Sequence, residues 1–303
     1  AAGVLQVYQL GPMLGLGHPA IWIIAVIFAI VLGAVIGSFN GALIAYGQIP
    51  SFIVTLGGLI AFSGAAFLIA SGVTVAPMDK TFKIIGGNGP FASIGPFWSW
   101  ALGLAACVVI ILAILNGRRQ RIRFNFPLRP VWAEAFLAVV GSILVLGTTL
   151  VVNSYPWPPK VVEQYALDNQ ITIPAGIENR DGTAICMAAD KVVRCAEGLT
   201  YQTGYPIPVL IALAVGMLMT FLATRTRFGR YVFATGGNPE AAELAGINTK
   251  RLTVMVFALM GAMVGISATI ASARLDAATT ALGTLAELYV IAAAVIGGTS
   301  LAG

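Results

Sequence analysis

Runs of about 20 apolar residues recur along the chain, separated by short polar stretches. Each run is long enough to cross a hydrocarbon core of about 30 Å as a helix. About seven candidate spans follow: residues 20–46, 52–71, 97–115, 131–152, 208–223, 252–272 and 289 to the end. Residues 1–16 read as the tail of an earlier span. The run 208–223 is the shortest and borrows from its flanks. The pattern predicts an all-α, polytopic transmembrane helical bundle. It divides into an N-terminal group of spans (1–152), an outer insertion (153–206) and a C-terminal group of spans (207–303). The sequence opens and closes in apolar residues with no basic leader before Ala1, as expected of a piece of a longer protein.

Composition agrees. Of 303 residues, 58% are hydrophobic and 10% charged, and the mean hydropathy is +0.90. A soluble domain carries roughly 25% charged residues. Gly 35 and Pro 15 are tolerated in packed membrane helices. The net charge of +5 does not indicate nucleic acid, because the basic residues sit where membrane topology puts them. Arg118, Arg119, Arg121, Arg123 and Arg129 share one loop; Arg225, Arg227, Arg230, Lys250 and Arg251 share another. By the positive-inside rule both loops face the cytoplasm. The segment 153–206 then faces outward, a periplasmic insertion. It carries Cys186 and Cys195, whose spacing on an oxidising side allows either a disulfide or two free thiols. Cys107, inside a span, reads as a small packing residue.

The spans lack most chemistry. Ion-coupled carriers keep titratable groups inside the membrane. Here the candidates are Glu134, near the inner end of its span, and Asp276 and Glu287, which flank an outer loop. His18, the sole histidine, reads as a solvated loop residue. There is no H-E-x-x-H, no G-x-S-x-G and no phosphate-binding G-x-x-x-x-G-K-[ST]. The chain is expected to have no catalytic residue, no metal and no cofactor of its own. If it pumps, energy enters through a partner.

The spans do hold packing devices. Gly33, Gly37 and Gly41 lie on one helix face, as do Gly261 and Gly265; Gly57 or Gly58 with Gly64 suggest the same. Segment 64–71 weakly resembles segment 265–272, a hint of repeated halves. Uncharged polar residues such as Ser38, Asn40, Thr55, Ser63, Ser142 and Thr148 could hydrogen-bond a sugar or hold helices together. Asn40, Thr55, Phe62, Asp276 and Glu287 are the candidate pathway residues, and the loop 273–287 the candidate outer gate.

One cytoplasmic segment carries clear start and stop signals. Gly236 and Gly237 offer a flexible approach. Asn238 suits an N-cap, Pro239 the first helical position, and Glu240 and Glu243 the positive end of the helix dipole. Ala241, Ala242, Leu244 and Ala245 favour helix, and Gly246 can stop it. A two-turn helix over 239–245 is predicted. So short a helix is marginal alone and needs its own protein or a partner. The alternatives are a plain capped loop helix and a docking helix.

The run Glu240-Ala-Ala-x-x-x-Gly246 resembles the coupling-loop signature of ABC importer permeases. The wider string G-G-N-P-E-A-A-E-L-A-G-I-N, with residues 49–56, 72–77 and 294–303, is similar to the monosaccharide branch of that superfamily, the ribose and xylose permeases, and most of all to the xylose permeases. The resemblance implies a multi-pass permease of the bacterial inner membrane with about ten spans in full, working by alternating access. It implies a second copy of the chain, and a cytoplasmic ATP-binding subunit that holds ATP and magnesium and docks on Gly237, Asn238, Pro239, Glu240, Ala241, Ala242, Glu243 and Gly246. It also implies a periplasmic sugar-binding protein. The sequence alone leaves an ion-coupled secondary sugar transporter as the alternative.

Overall fold

The computed structural model describes residues 2–14, 18, 20–87, 92–124, 126–128, 130–154, 186–188, 191–193 and 204–299. Six helices in it are long and apolar enough to cross a membrane: α3 (Ala20–Ala45), α4 (Ser51–Ile69), α6 (Gly95–Arg123), α7 (Val131–Ser154), α8 (Ile207–Arg225) and α11 (Thr249–Leu275). They are preceded by an irregular helical stretch, α1 (Ala2–Val4), a π-helical segment Leu5–Leu10 and α2 (Gly11–Leu14). Short helices complete the set: α5 (Lys80–Ile85), α9 (Arg227–Gly237), α10 (Pro239–Leu244) and α12 (Ala286–Ile296). In the insertion, β1 (Cys186–Ala188) pairs antiparallel with β2 (Lys191–Val193). Cys195, whose pairing with Cys186 the sequence leaves open, lies outside the described residues.

The apolar runs therefore become helices, with one difference. The seventh expected span, from Tyr289 onward, forms only the 11-residue α12. The residues that follow are Gly-rich: Gly297 caps the helix and Gly298 takes φ +94. A hydropathy run cannot register such a stop. His18 is an exposed loop residue, as expected, and its Nδ1 accepts from the Ala20 N–H at 3.2 Å at the start of α3.

The helices are apolar but sparsely covered. Of the apolar window of α8, 0% is buried, and in α4 only 11%. A water-soluble protein does not leave such continuous apolar surface bare, whereas a hydrocarbon solvent requires only that backbone polar groups be paired within the helix.

The chain falls into two compact units, residues 1–87 with 211–303, and residues 88–210. Helices thus group by packing and not by the linear division at 152 and 207: α3 of the N-terminal part pairs with α11 of the C-terminal part. Glycine makes that pairing possible. A Cβ on Gly33 would strike the Gly261 carbonyl oxygen, and one on Gly261 would strike that of Gly33. Gly37 lies likewise against the Phe257 carbonyl, and Gly265 against that of Ala29. Where hydrocarbon surrounds both helices, such close backbone contact replaces the hydrophobic effect as the attraction. By contrast, Gly57 and Gly64 on α4 face no atom within 4 Å, so the stripe expected there packs only through Gly58. A small apolar core of Ala25, Val75, Met78, Phe82 and Ala273 closes the outer end of this unit.

In the second unit α6 and α7 run antiparallel. Gly103 lies against Thr149, and Ile110 against Gly141. Cys107 is buried there, its Sγ 3.9 Å from the Ser142 carbonyl oxygen. At the inner end Arg118 Nη1 meets Glu134 Oε2 at 2.8 Å.

Candidate coupling helix and outer latch

The segment 225–251 folds into a sequence of capped turns. Thr226 caps α9, accepting from the Gly229 N–H at 3.4 Å. Gly229 permits the elbow, since any Cβ would collide with the Ala223 backbone. Gly236 and Gly237, expected as a flexible approach, instead form the last turn of α9. Asn238 then caps α10, its Oδ1 accepting from the Ala241 N–H at 3.0 Å, with Pro239 at the first helical position and Glu240 in the first turn.

The far end of α10 closes by a glycine C-cap. Gly246 takes φ +83. The Ile247 N–H donates to the Ala242 carbonyl at 3.0 Å, and the Gly246 N–H to that of Glu243 at 2.9 Å. These two bonds make a Schellman motif. The helix ends at Leu244, one residue before the expected Ala245, which is the C-cap. Ala242 is buried, so it seats the helix on its own protein. Glu240, Ala241 and Glu243 are exposed, and Leu244, at 90%, is the most exposed large apolar side chain among the described residues. The result is a rigid, acid-flanked knob with an apolar tip.

That knob is attached directly to α11. Asn248 caps α11 by accepting from the Arg251 N–H at 2.9 Å, and Leu252 is buried just inside. With 27 residues at about 1.5 Å each, α11 is about 40 Å long. At its opposite end Asp276 adopts the left-handed conformation, φ +54. Asp276 Oδ1 accepts from the Met78 N–H at 2.9 Å, and its Oδ2 meets Lys83 Nζ at 2.6 Å. Val75 and Ala278 exchange two backbone hydrogen bonds, of 3.0 and 2.9 Å. Gly86 sits against the backbone of Ala273 and Arg274. The segment 75–86 is thereby latched to the outer end of the helix whose inner end carries the knob.

The pathway candidates do not converge. Asn40 and Phe62 flank Gly58 where α3 meets α4. Thr55 is exposed and bonds back to the Ser51 and Phe52 carbonyls. Asp276 belongs to the latch, and Glu287 is exposed in the first turn of α12. Sequence reasoning missed the other half of the latch. Asp79, 7% exposed, caps α5 by accepting from the Thr81 N–H at 2.9 Å, and the D-x-T spacing was the available signal. Among the described residues no three His, Cys, Asp or Glu side chains stand together as metal ligands would.

Comparison with known proteins decides the family. The family described as the branched-chain amino acid transport system permease component matches residues 1–119 and 132–303. The chain belongs to this permease family. It is 36% identical over 285 residues to the xylose transport system permease protein of Escherichia coli (strain K12), covering 92% of this chain and 58% of that one. The Haemophilus influenzae protein of the same description is 32% identical over 280 residues, covering 92% and 61%. The ribose import permease protein of Escherichia coli (strain K12) is 42% identical over 106 residues, 35% of this chain and 33% of that one. The permease thus spans about three fifths of the length of the xylose relatives it matches. No solved structure matches it. Family and helices together make it a multi-pass protein of the inner membrane.

Proposed function

We propose that the permease is the membrane-spanning subunit of an ATP-driven importer of a monosaccharide, xylose or a similar pentose. The single observation that carries this reading is the capped α10 knob on the inner end of α11, in a family of transport permeases. Relatives described as xylose and ribose permeases give the substrate class. A cytoplasmic ATP-binding subunit docks on Glu240, Glu243 and Leu244 and holds ATP and magnesium; a periplasmic sugar-binding protein delivers sugar outside; two copies of the permease form the pathway in the lipid bilayer. When ATP closes the partner subunits, α10 is displaced. Because α3 and α11 are fused along their glycines, the pair moves as one body and carries the displacement to the Asp276 latch. Alternating access is the outcome.

The ion-coupled alternative needs free acids in the membrane. Of its three candidates, Glu134 is paired with Arg118 and Asp276 with Lys83, while Glu287 is exposed. The test is co-purification of the full-length permease with its ATP-binding subunit, wild type against Glu240→Lys/Gly246→Pro. Loss of the subunit from a folded variant supports the reading. Retention in the variant removes docking through α10, and a wild type that binds no ATP-binding subunit ends the reading.

A further inference from the structure

A second polar constellation lies at the outer end of α6 and α7, entirely within the unit 88–210. Ser99 and Thr149 are both 0% exposed. Ser99 Oγ donates to the Gly95 carbonyl at 2.7 Å and accepts from the Tyr205 N–H at 2.8 Å. Thr149 Oγ1 donates to the Val145 carbonyl at 2.8 Å, so at 2.8 Å from the Tyr205 hydroxyl it is the acceptor. Thr148 Oγ1 lies 3.3 Å from the same hydroxyl. Every hydroxyl hydrogen in this group has an acceptor.

One member does not fit. Asn153 is 4% exposed, yet both Oδ1 and Nδ2 lack any partner. It stands one helical turn beyond Thr149 on the same face of α7. The antiparallel register that sets Gly103 against Thr149 puts Ser99, one turn back on α6, level with it. A buried amide left unpaired is disfavoured, because it has surrendered water for nothing. Its donor and acceptor together match one hydroxyl group, which can accept from Nδ2 and donate to Oδ1. Among the described residues no charged side chain belongs to the cluster, which suits a neutral ligand. The site also lies on the outer side, where the insertion begins.

We infer that Asn153 is the binding amide of an outer subsite for a neutral, polyhydroxylated ligand, a monosaccharide on its way across the membrane, with the Ser99–Thr149–Tyr205 hydroxyls holding its walls. This rests on the importer reading above and names a place where that sugar is held.

The experiment uses the full-length permease reconstituted in proteoliposomes with its ATP-binding subunit and binding protein, and D-xylose, D-ribose and D-allose as probes. Asn153→Leu keeps the number and branching of the side-chain heavy atoms and removes both polar atoms; Asn153→Ala serves if the bulkier leucine does not fold. Sugar moved per ATP hydrolysed falls at least tenfold while the melting temperature is kept or raised, since an unpaired polar group is replaced by an apolar one. An unchanged sugar-to-ATP ratio overturns the inference. So does a parallel fall of transport and melting temperature, the mark of a structural amide paired by buried water. In both cases the importer reading stands, because the wild type transports. A wild type that moves none of the three sugars overturns both.

Discussion

Lys83 and Asp276 are far apart in sequence, yet Nζ and Oδ2 meet at 2.6 Å where α11 ends. The pair is partly exposed, and such pairs contribute only about 0.2–1 kcal/mol. The backbone role of Asp276 weighs more: it accepts from Met78 and holds a left-handed conformation, which asparagine also tolerates and alanine resists by about 1–2 kcal/mol. Lys83→Met and Asp276→Asn are therefore expected to melt within about 1 kcal/mol of wild type, and Asp276→Ala well below both. Thermal unfolding of the purified permease checks the order. An Asp276→Asn as unstable as Asp276→Ala would show that the ion pair, not the cap, holds the outer latch.

The α3–α11 seam gives the largest effect. Gly261→Val must push the helices apart, because its Cβ meets the Gly33 carbonyl, and overpacking of this kind costs about 1–3 kcal/mol or more. Gly64→Ala meets nothing and gains up to about 1 kcal/mol of helix propensity. The melting temperature is expected to fall sharply for the first and to hold or rise for the second. Equal destabilisation by the two would mean that α4 is packed as tightly as α11.

How far the sequence spoke depended on the range of each signal. Spans were legible because hydrophobicity is summed over a window, and α10 was legible because Asn238, Pro239 and Gly246 act within one or two turns. The glycine stripe of α3 was read correctly, but that of α4 was not, since a stripe shows which face can be approached and not whether anything approaches it. The end of α12 was written in Gly297 and Gly298, a local stop that a hydropathy window averages away. The latch and the Ser99–Thr149–Tyr205 cluster join residues brought together only by helix pairing, and of that cluster only Thr148 stood out beforehand.

Arg118 and Glu134 allow a direct test of ion coupling. Their side chains are 29% and 13% exposed and 2.8 Å apart. Removing one partner leaves a poorly solvated charge, whereas removing both leaves none. Arg118→Met is expected to lower the melting temperature more than Arg118→Met/Glu134→Leu, and the double variant to retain ATP-driven sugar uptake. A double variant that folds well but loses uptake would place Glu134 in the transport cycle.

The last prediction separates the fold of α10 from its surface. Asn238→Ala removes the cap on Ala241 and costs about 1 kcal/mol, and Gly246→Val forces a β-branched residue into the left-handed C-cap position. Both loosen the knob while leaving Glu240, Glu243 and Leu244 in place. Leu244→Asp leaves both caps intact and changes only the 90% exposed tip. If docking depends on a preformed apolar tip, Leu244→Asp abolishes co-purification of the ATP-binding subunit at unchanged melting temperature. The cap variants then weaken co-purification partially, in proportion to how often α10 is frayed. If Leu244→Asp binds as well as wild type while Glu240→Lys does not, the contact is electrostatic and runs along the acidic side. In that case binding of the wild type declines steeply as salt is raised, as exposed charge pairs require, and the apolar tip has no part in coupling.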